Sequence, residues 1–560
     1  MKKYVLPEIR TAILSVILFI PFITFGQGTV TYRLKINGKE IHTGPPLQIS
    51  YKNGIALLNT GREGVKEQQY INYNQQAIYR VLHSDNKTYT LETSFDSLMQ
   101  ATVTKDTATI LGYLCRKAHL VIRSNNMDVW FTDLPAVKGS PLLDVAPYLG
   151  LVLKIVRNGS FEWYATNISL KNDSTLNWKI PEAGMPVDEA TFQSLLIKSR
   201  YTSIPVFTDQ QINFGDKITN PPADKMNILY RYSGGTVILK KIHLPEDFHG
   251  SIFASLTQYS NGDAYDRTGC VFVIPTKKSV TFLDALENGI KVLPVYKDND
   301  DNEYQGITAT KDYQPPVEIM RFFTPFGIGA YNNKVKIAGY HWADSVTFVQ
   351  DVTGLEPLLQ GDVWIGAYIG NYDKNGHTVS LKLDFYPAEG GDDTSEKKWI
   401  LPLFNTLNMM EMSGQNYGKL FGNDSLKIKI FLPENITNIR LRYISTGHGG
   451  WDGGDEFNPK MNTIFMDGKQ VFSYTPWRTD CATFRLENPS SGNAGNGLSS
   501  SDYSRSGWCP GTTTNPVYIP LPDLKSGWHT FTVTIPEGKP AGSSFSFWNV
   551  SGVLLGEIKK

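Results

Sequence analysis

Along most of its 560 residues the chain repeats one device: a short apolar or alternating run, rich in β-branched and aromatic residues, closed by a polar turn. Thr29-Val-Thr-Tyr-Arg-Leu34, Val129-Trp-Phe-Thr132, Thr236-Val-Ile-Leu-Lys-Lys-Ile242, Val379-Ser-Leu-Lys-Leu-Asp-Phe385 and Ile439-Arg-Leu-Arg-Tyr443 are examples. Alternation with a period of two buries one face of a strand and wets the other, so these runs predict β-strands. The 49 glycines and 31 prolines supply the turns, and an aromatic content of 12% suits strand faces. Strand runs follow one another without regular helical patterns between them, which favours sandwiches over βαβ units. The expected fold class is all-β, and the length calls for about three domains.

The N-terminus carries Lys2, Lys3 and Arg10, then an apolar run from Thr11 to Phe25 and the small residue Gly26. Basic flank, short apolar stretch and small cleavage residue read as a secretory signal peptide over 1–26. The run is short for a membrane span and is broken by Pro21. Export to the periplasm or the medium is therefore expected, with no membrane span after signal removal. A mainly antiparallel β domain is expected over 27–175, followed by a linker over 176–225. Within that linker Asp188 can cap a short helix reaching Arg200, with Phe192, Leu195 and Leu196 on one face. Pro221-Pro222 marks a boundary. Two more β sets follow over 226–390 and 391–560, separated by the polar stretch Ala388-Glu-Gly-Gly-Asp-Asp-Thr-Ser395.

Charge excludes some partners. The 54 basic and 54 acidic residues balance, so nothing favours nucleic acid or an anionic membrane surface. The nine histidines are scattered with neither His-x-His nor His-Glu-x-x-His, so neither a metal site nor any other cofactor is expected. A copper monooxygenase on paired sandwiches fails on the same absence. No Gly-x-Ser-x-Gly elbow occurs. The acidic run Asp298-Asn-Asp-Asn-Asp-type in composition, ending at Glu303, lacks the glycine of a calcium loop and reads as a solvated hairpin tip. Of four cysteines, Cys115 and Cys270 sit in apolar runs and are expected as buried thiols. Pairing Cys481 with Cys509 would close a loop of about 27 residues, worth about 3–4 kcal/mol in the chain-entropy account.

Four segments can carry chemistry. Ser445-Thr-Gly-His-Gly-Gly-Trp-Asp-Gly-Gly-Asp-Glu-Phe-Asn458 packs five glycines with His448, Trp451, Asp455, Glu456 and Phe457. Glycines allow close approach of backbone to a ligand. Asn261-Gly-Asp-Ala-Tyr-Asp-Arg-Thr-Gly269 offers Asp263, Asp266 and Arg267, although an Asp capping a turn and pairing with a nearby Arg is the plainer reading of that segment. Pro476-Trp-Arg-Thr-Asp-Cys481 and Ser504-Arg-Ser-Gly-Trp-Cys-Pro-Gly511 bring Arg505 and Trp508 beside the cysteines.

These segments carry a resemblance. Residues 226–560 are similar to the bacterial peptide N-glycosidase F family. Glu318-Ile-Met-Arg-Phe-Phe-Thr-Pro325 resembles that family's Glu-Ile-x-Arg-Phe-x-Thr-Pro, and Asp263-Ala-Tyr-Asp-Arg267 its Asp-Glu-Trp-Asp-Arg. Asp455-Glu-Phe457 resembles its Ala-Glu-Trp, and Arg505-Ser-Gly-Trp-Cys-Pro-Gly511 its Arg-Ala-Gly-Trp-Cys-Pro-Gly. The resemblance implies two adjacent jelly-roll-like antiparallel sandwiches forming the catalytic unit, with Asp266 and Glu456 as the catalytic carboxylates. It also implies the Cys481–Cys509 bridge. Arg267, Arg505, Tyr265, Trp451, Phe457, Trp508 and His448 are the expected substrate-binding residues. The family's third acid falls on Gly370, which offers none, with Asp373 three residues on; Asn458 stands where one family cysteine would be. The N-terminal domain resembles secreted proteins named for a Gly-Leu-Pro-Gly-Leu-Ile stretch, through Ile110-Leu-Gly-Tyr-Leu-Cys-Arg-Lys-Ala118 and Leu149-Gly-Leu-Val-Leu153.

The implied activity is hydrolysis of the amide joining Asn to the first GlcNAc of an N-glycoprotein or glycopeptide, by a monomer. The alternative is a non-catalytic N-glycan-binding protein on the same scaffold. Asp266 and Glu456 lie far apart in sequence on different expected domains, so the site should be the cleft between the two sandwiches.

Overall fold

A computed structural model describes residues 26–42, 45–59, 66–133, 137–170, 184–215, 217–222, 225–388, 397–449, 453–539 and 544–559. The apolar run of the expected signal peptide, residues 171–183, the linker residues 389–396, Trp451 and Asp452 lie outside them. Among the described residues no helix is long and apolar enough to cross a membrane. The chain forms two compact units, residues 1–200 and 201–560.

The first unit is built on a 13-stranded sheet, antiparallel but for the short strand Met185–Pro186, which runs parallel to Lys87–Ser94. Val30, Tyr32, Ile49 and Leu153 are fully buried in its core, and the Tyr32 hydroxyl donates to the Val152 carbonyl at 2.6 Å. The expected short helix forms over Glu189–Lys198. Asp188 caps it by accepting from the Thr191 N–H at 2.7 Å, a contact of a kind worth about 1 kcal/mol. Phe192 and Leu196 pack on Leu82 and Leu91, so the helix belongs to this unit rather than to a free linker.

The second unit contains two antiparallel sandwiches. In the first, the sheet Thr202–Ile212, His377–Pro387, Gly250–Ser260 and Val346–Asp351 faces a six-stranded sheet centred on Gly361–Ile369 and Thr268–Ile274. Inward residues of both sheets, among them Ile252, Leu256, Val271, Ile319 and Ile365, make its core. Residues 202–212, expected inside a linker, are an edge strand of this sandwich. The apolar side of Ile204, Val206 and Ile212 needs that sheet face, a demand which polar neighbours hide in the sequence. The second sandwich pairs Lys397–Asn405, Phe547–Ile558, Ile436–His448 and Val517–Pro520 in one sheet. The other holds Leu426–Leu432, Gly527–Thr534, Asn462–Met466 and Lys469–Tyr474.

The sandwiches are latched to each other. Thr513–Thr514 adds to the edge of Val317–Phe323, and Val553 and Leu555 of the second sandwich join the core of the first. Two buried arginines cross the same boundary. Arg442 donates to the Glu318 and Ile319 carbonyls at 2.9 and 3.2 Å, while Arg321 donates to Thr446 Oγ1 at 3.1 Å and the Asn549 carbonyl at 2.5 Å. Glu318, fully buried, neutralises Arg321. A buried charge pair survives only when hydrogen bonds complete it, which is the case here. The Glu318–Arg321 motif is therefore the latch of the catalytic half.

Candidate active site

The turn that carries Asp266 is tied down from three sides. Asp263 is buried and accepts the Arg267 guanidinium fork at 2.7 and 3.2 Å and the Tyr265 N–H at 3.0 Å. His377 Nε2 lies 3.4 Å from the same carboxylate, and its Nδ1 is 3.0 Å from Gln258 Nε2, which sets the ring with its proton toward Asp263. Burial alone would raise the Asp263 pKa, but the bonds from His377 and Arg267 outweigh it and hold it down at about 2. Thr324 then clamps the backbone: its hydroxyl accepts the Arg267 N–H at 2.7 Å and donates to the Tyr265 carbonyl at 3.1 Å. Ser490 and Tyr331 donate to the carbonyls of Ala264 and Gly262 at 2.8 and 3.0 Å.

The loop that carries Glu456 is anchored by its neighbour. Asp455 is fully buried and accepts Trp548 Nε1 at 2.7 Å and the Gly538 N–H at 3.1 Å, with Lys460 Nζ 3.7 Å away. Its own N–H donates to Ser546 Oγ at 3.1 Å. Gly449, at φ 95°, packs so tightly that a Cβ would meet the Phe545 carbonyl at 2.0 Å. Asp455, expected to be a plain loop acid, is the post on which Glu456 stands.

Arg505 joins the two elements. It is 2% exposed, donates through Nε to Glu456 Oε1 at 3.0 Å, and holds Nη2 3.5 Å from Asp266 Oδ2. Two further bonds to the Ser500 and Tyr503 carbonyls, at 2.9 and 3.2 Å, fix the guanidinium plane. Asp266 and Glu456 keep only 16% and 22% of their side-chain exposure. Burial pushes the Asp266 pKa up to about 7; Arg505 pulls against this and the charge of Glu456 adds to it. Burial raises Glu456 as well, against the same arginine. The pair thus titrates jointly near neutrality, which allows one carboxylate to take a proton while the other holds one.

The other expected site residues divide. Tyr265 is 61% exposed with the Arg267 guanidinium 5.0 Å from its ring, a face open to a sugar. Phe457 lies 5.1 Å from Arg505 beside Tyr503. Three expectations are corrected. Arg267 spends its fork on Asp263 rather than on the reacting amide. Trp508 is buried, stacked 4.2 Å from Phe323, and donates to the Gly447 carbonyl at 3.0 Å; it backs Arg505 and has no face for a ring. His448 is a core residue between Phe323 and Phe547, its pKa pushed down to about 3 by burial and by Arg321. Trp451 lies outside the described residues.

Cys481 and Cys509 form the expected bridge, which holds the Arg505 segment, and Cys115 and Cys270 are free and buried. Asn458 replaces a family cysteine with hydrogen bonds, donating to Gly454 O at 2.8 Å and accepting from Ser506 Oγ at 3.0 Å. No acid stands at Gly370, where a Cβ would meet the Tyr368 hydroxyl at 2.5 Å. Asp373 is no substitute: it caps its own turn, accepting the N–H groups of Asn375 and Gly376 at 2.8 and 2.7 Å. In the acidic hairpin Asp298 is buried rather than solvated, accepting from the Tyr304 hydroxyl at 3.0 Å.

Comparison with known proteins agrees with this geometry. Family models described as peptide-N-glycosidase F, N terminal and C terminal, match residues 203–385 and 416–555. A solved structure of PNGF-II in space group P21 is 42% identical, covers 95% of this chain and 100% of that one, with a TM-score of 0.85. The chain belongs to the peptide-N-glycosidase F family. A C2 crystal form of PNGF-II matches at 42% identity over 95% of this chain and 98% of that chain, with a TM-score of 0.76. PNGase F of Flavobacterium meningosepticum, described as a glycosylasparaginase, is 19% identical over 64% of this chain and 96% of its own, with a TM-score of 0.44. No curated protein sequence matches. Residues 30–194 match an N-glycanase peptide N-terminal domain, so the first unit goes with this N-glycanase family rather than with the Gly-Leu-Pro-Gly-Leu-Ile proteins.

Proposed function

We propose that this family member is a peptide-N4-(N-acetyl-β-glucosaminyl)asparagine amidase, acting as an exported monomer on N-glycoproteins or glycopeptides. The observation that carries the reading is the single buried guanidinium shared by Asp266 and Glu456. An amide hydrolase needs a base for water, a counter-charge for the carbonyl oxygen, and a proton for the leaving nitrogen. Asp266, with its pKa pushed up to about 7, takes a proton from water as the oxygen attacks the Asn side-chain carbonyl carbon. Negative charge collects on the carbonyl oxygen, and Arg505 supplies fixed positive charge beside it. The C–N bond then breaks, the nitrogen takes a proton from the acid pair, and the glycan leaves intact as a glycosylamine. Water's oxygen stays on the peptide, so Asn becomes Asp. Glu456 holds sugar hydroxyls and shares the proton through the common guanidinium. Tyr265 and Phe457 flank the sugar with flat faces.

The test is an N-glycopeptide incubated with the protein in heavy-oxygen water and read by mass. Hydrolysis gives free glycan and a peptide whose amide nitrogen is exchanged for heavy oxygen. Retained but intact glycopeptide would mean a binder on the same scaffold. Full glycan release by an Asp266→Asn variant would remove Asp266 from the mechanism.

A further inference from the structure

Glu411 lies on the same rim as the carboxylate pair, yet no sequence motif pointed to it. It sits in a one-turn 3-10 segment, Glu411–Ser413, between two strands of the second sandwich. The hydroxyls of Tyr372 and Tyr417 both donate to its Oε1, and lie 3.4 Å from each other. Among the described residues its Oε2 takes no hydrogen bond from the protein. Burial, and then the bond to Glu411, push both phenols up from their ordinary range, so they stay protonated and remain donors. Two donors on one oxygen fix the carboxylate plane and leave the other oxygen for a ligand.

A closed chain of contacts places this group. The Arg267 guanidinium lies 5.0 Å from the Tyr265 ring and 5.5 Å from the Tyr372 ring. Tyr417 packs 4.7 Å from Phe547, Phe547 lies 5.0 Å from His448, and His448 lies 5.5 Å from Trp508. Trp508 lies 4.9 Å from Arg505, which reaches Asp266, the chain neighbour of Arg267. Glu411 is thus reached from Asp266 by way of Arg267, whereas Glu456 is reached by way of Arg505. Tyr372 is 53% exposed, so its ring offers a face beside an acceptor oxygen. A flat aromatic face next to a fixed carboxylate suits a pyranose, whose C–H face stacks while its hydroxyls donate.

We propose that Tyr372, Glu411 and Tyr417 form a second sugar subsite, which holds the residue following the amide-linked GlcNAc, with Glu411 Oε2 accepting one of its hydroxyls. The inference rests on the proposed amidase reading for its direction along the glycan. It requires no acid at Gly370, because the carboxylate comes from the other sandwich.

The test compares Asn-linked peptides carrying one GlcNAc or the GlcNAc–GlcNAc disaccharide. Loss of a hydrogen bond to a charged acceptor weakens binding by about 10- to 100-fold. Glu411→Ala is expected to lower kcat/KM by that factor on the disaccharide, mainly through KM, and to leave the single-sugar peptide unchanged. Glu411→Gln, which keeps an acceptor oxygen, is expected to recover part of the loss and guards against misfolding. Equal losses on both substrates, or no loss on either, overturn the subsite. A second measurement does not depend on turnover: calorimetric binding of the free disaccharide to Asp266→Asn protein, with and without Glu411→Ala. Weaker binding in the double variant supports the subsite even where no glycan is released. Unchanged or absent binding overturns it, while glycan release by the unmodified protein leaves the amidase reading standing.

Discussion

Replacing Arg505 by Gln tests the shared guanidinium directly. The substitution removes a charge 3.5 Å from Asp266 and 3.0 Å from Glu456 while keeping much of the side chain's volume. At 3.5 Å, with an effective dielectric between about 20 and 80, the lost attraction to Asp266 is about 1–5 kcal/mol. One pH unit corresponds to about 1.4 kcal/mol, so the Asp266 pKa should rise by about 1–3 units. The group starts near 7 in the intact site. A base works in its ionised form, so activity climbs as pH rises through this pKa, and the variant's climb should be displaced to higher pH. The assay is the pH profile of kcat/KM on a glycopeptide, which reports ionisations of the free enzyme. Arg505→Lys keeps the charge but loses the planar fork. It should leave the acidic limb near its original place while lowering the maximum. A folded Arg505→Gln protein whose acidic limb overlays that of the unmodified enzyme would refute the electrostatic reasoning. The limb would then belong to another group.

Asp455→Asn should lower glycan release more than it lowers stability to denaturant. It weakens the bonds from Trp548 and Gly538 that set the Glu456 loop, without touching substrate; activity unchanged across the pH range would show that the loop needs no such post. Glu537 has its pKa raised to about 9 by burial and by Asp455, against Lys419. The folded state therefore holds a proton that the unfolded chain releases above its ordinary range, and stability falls as pH rises until the folded pKa is passed. The Tm advantage of Glu537→Gln over the parent should accordingly grow from acid toward pH 9, and a constant difference would contradict it. Asp263 is the opposite case, with a pKa held at about 2, so its stabilisation is present above the ordinary carboxylate range and is lost as pH falls through about 2. Asp263→Asn should be clearly destabilised at neutral pH in thermal melts, with the gap to the parent closing in strong acid. Opening the Cys481–Cys509 bridge by a double Ala substitution should remove about 3–4 kcal/mol, read by urea unfolding, and lower activity through the Arg505 segment.

Local patterning settled much of this protein. Period-two alternation announces most strands of both sandwiches, because a half-buried strand must alternate; the run at Leu426 forms the strand Leu426–Leu432 with alternate residues buried. Asp188 announces its helix because a cap is a local hydrogen bond. Asp266, Glu456 and Arg505 were legible as candidates because each stands in a dense run of unusual residues. Roles depending on which long-range partner a side chain meets were decided by tertiary structure alone. The adjacent Asp263 and Asp266 differ little in composition, yet one is a neutralised strut and the other a near-neutral acid. The difference is Arg267 and His377 on the first, and burial with a shared Arg505 on the second. Trp508 and His448 have the chemistry of ligand contacts but are consumed by packing against Phe323. Glu411 carried no local signal, because its meaning comes from two tyrosines, one on each sandwich. Residue type and spacing determine which groups are available to a site. Only the meeting of two sandwiches determines which are desolvated, paired and held in place, because pKa and geometry follow from neighbours distant in sequence.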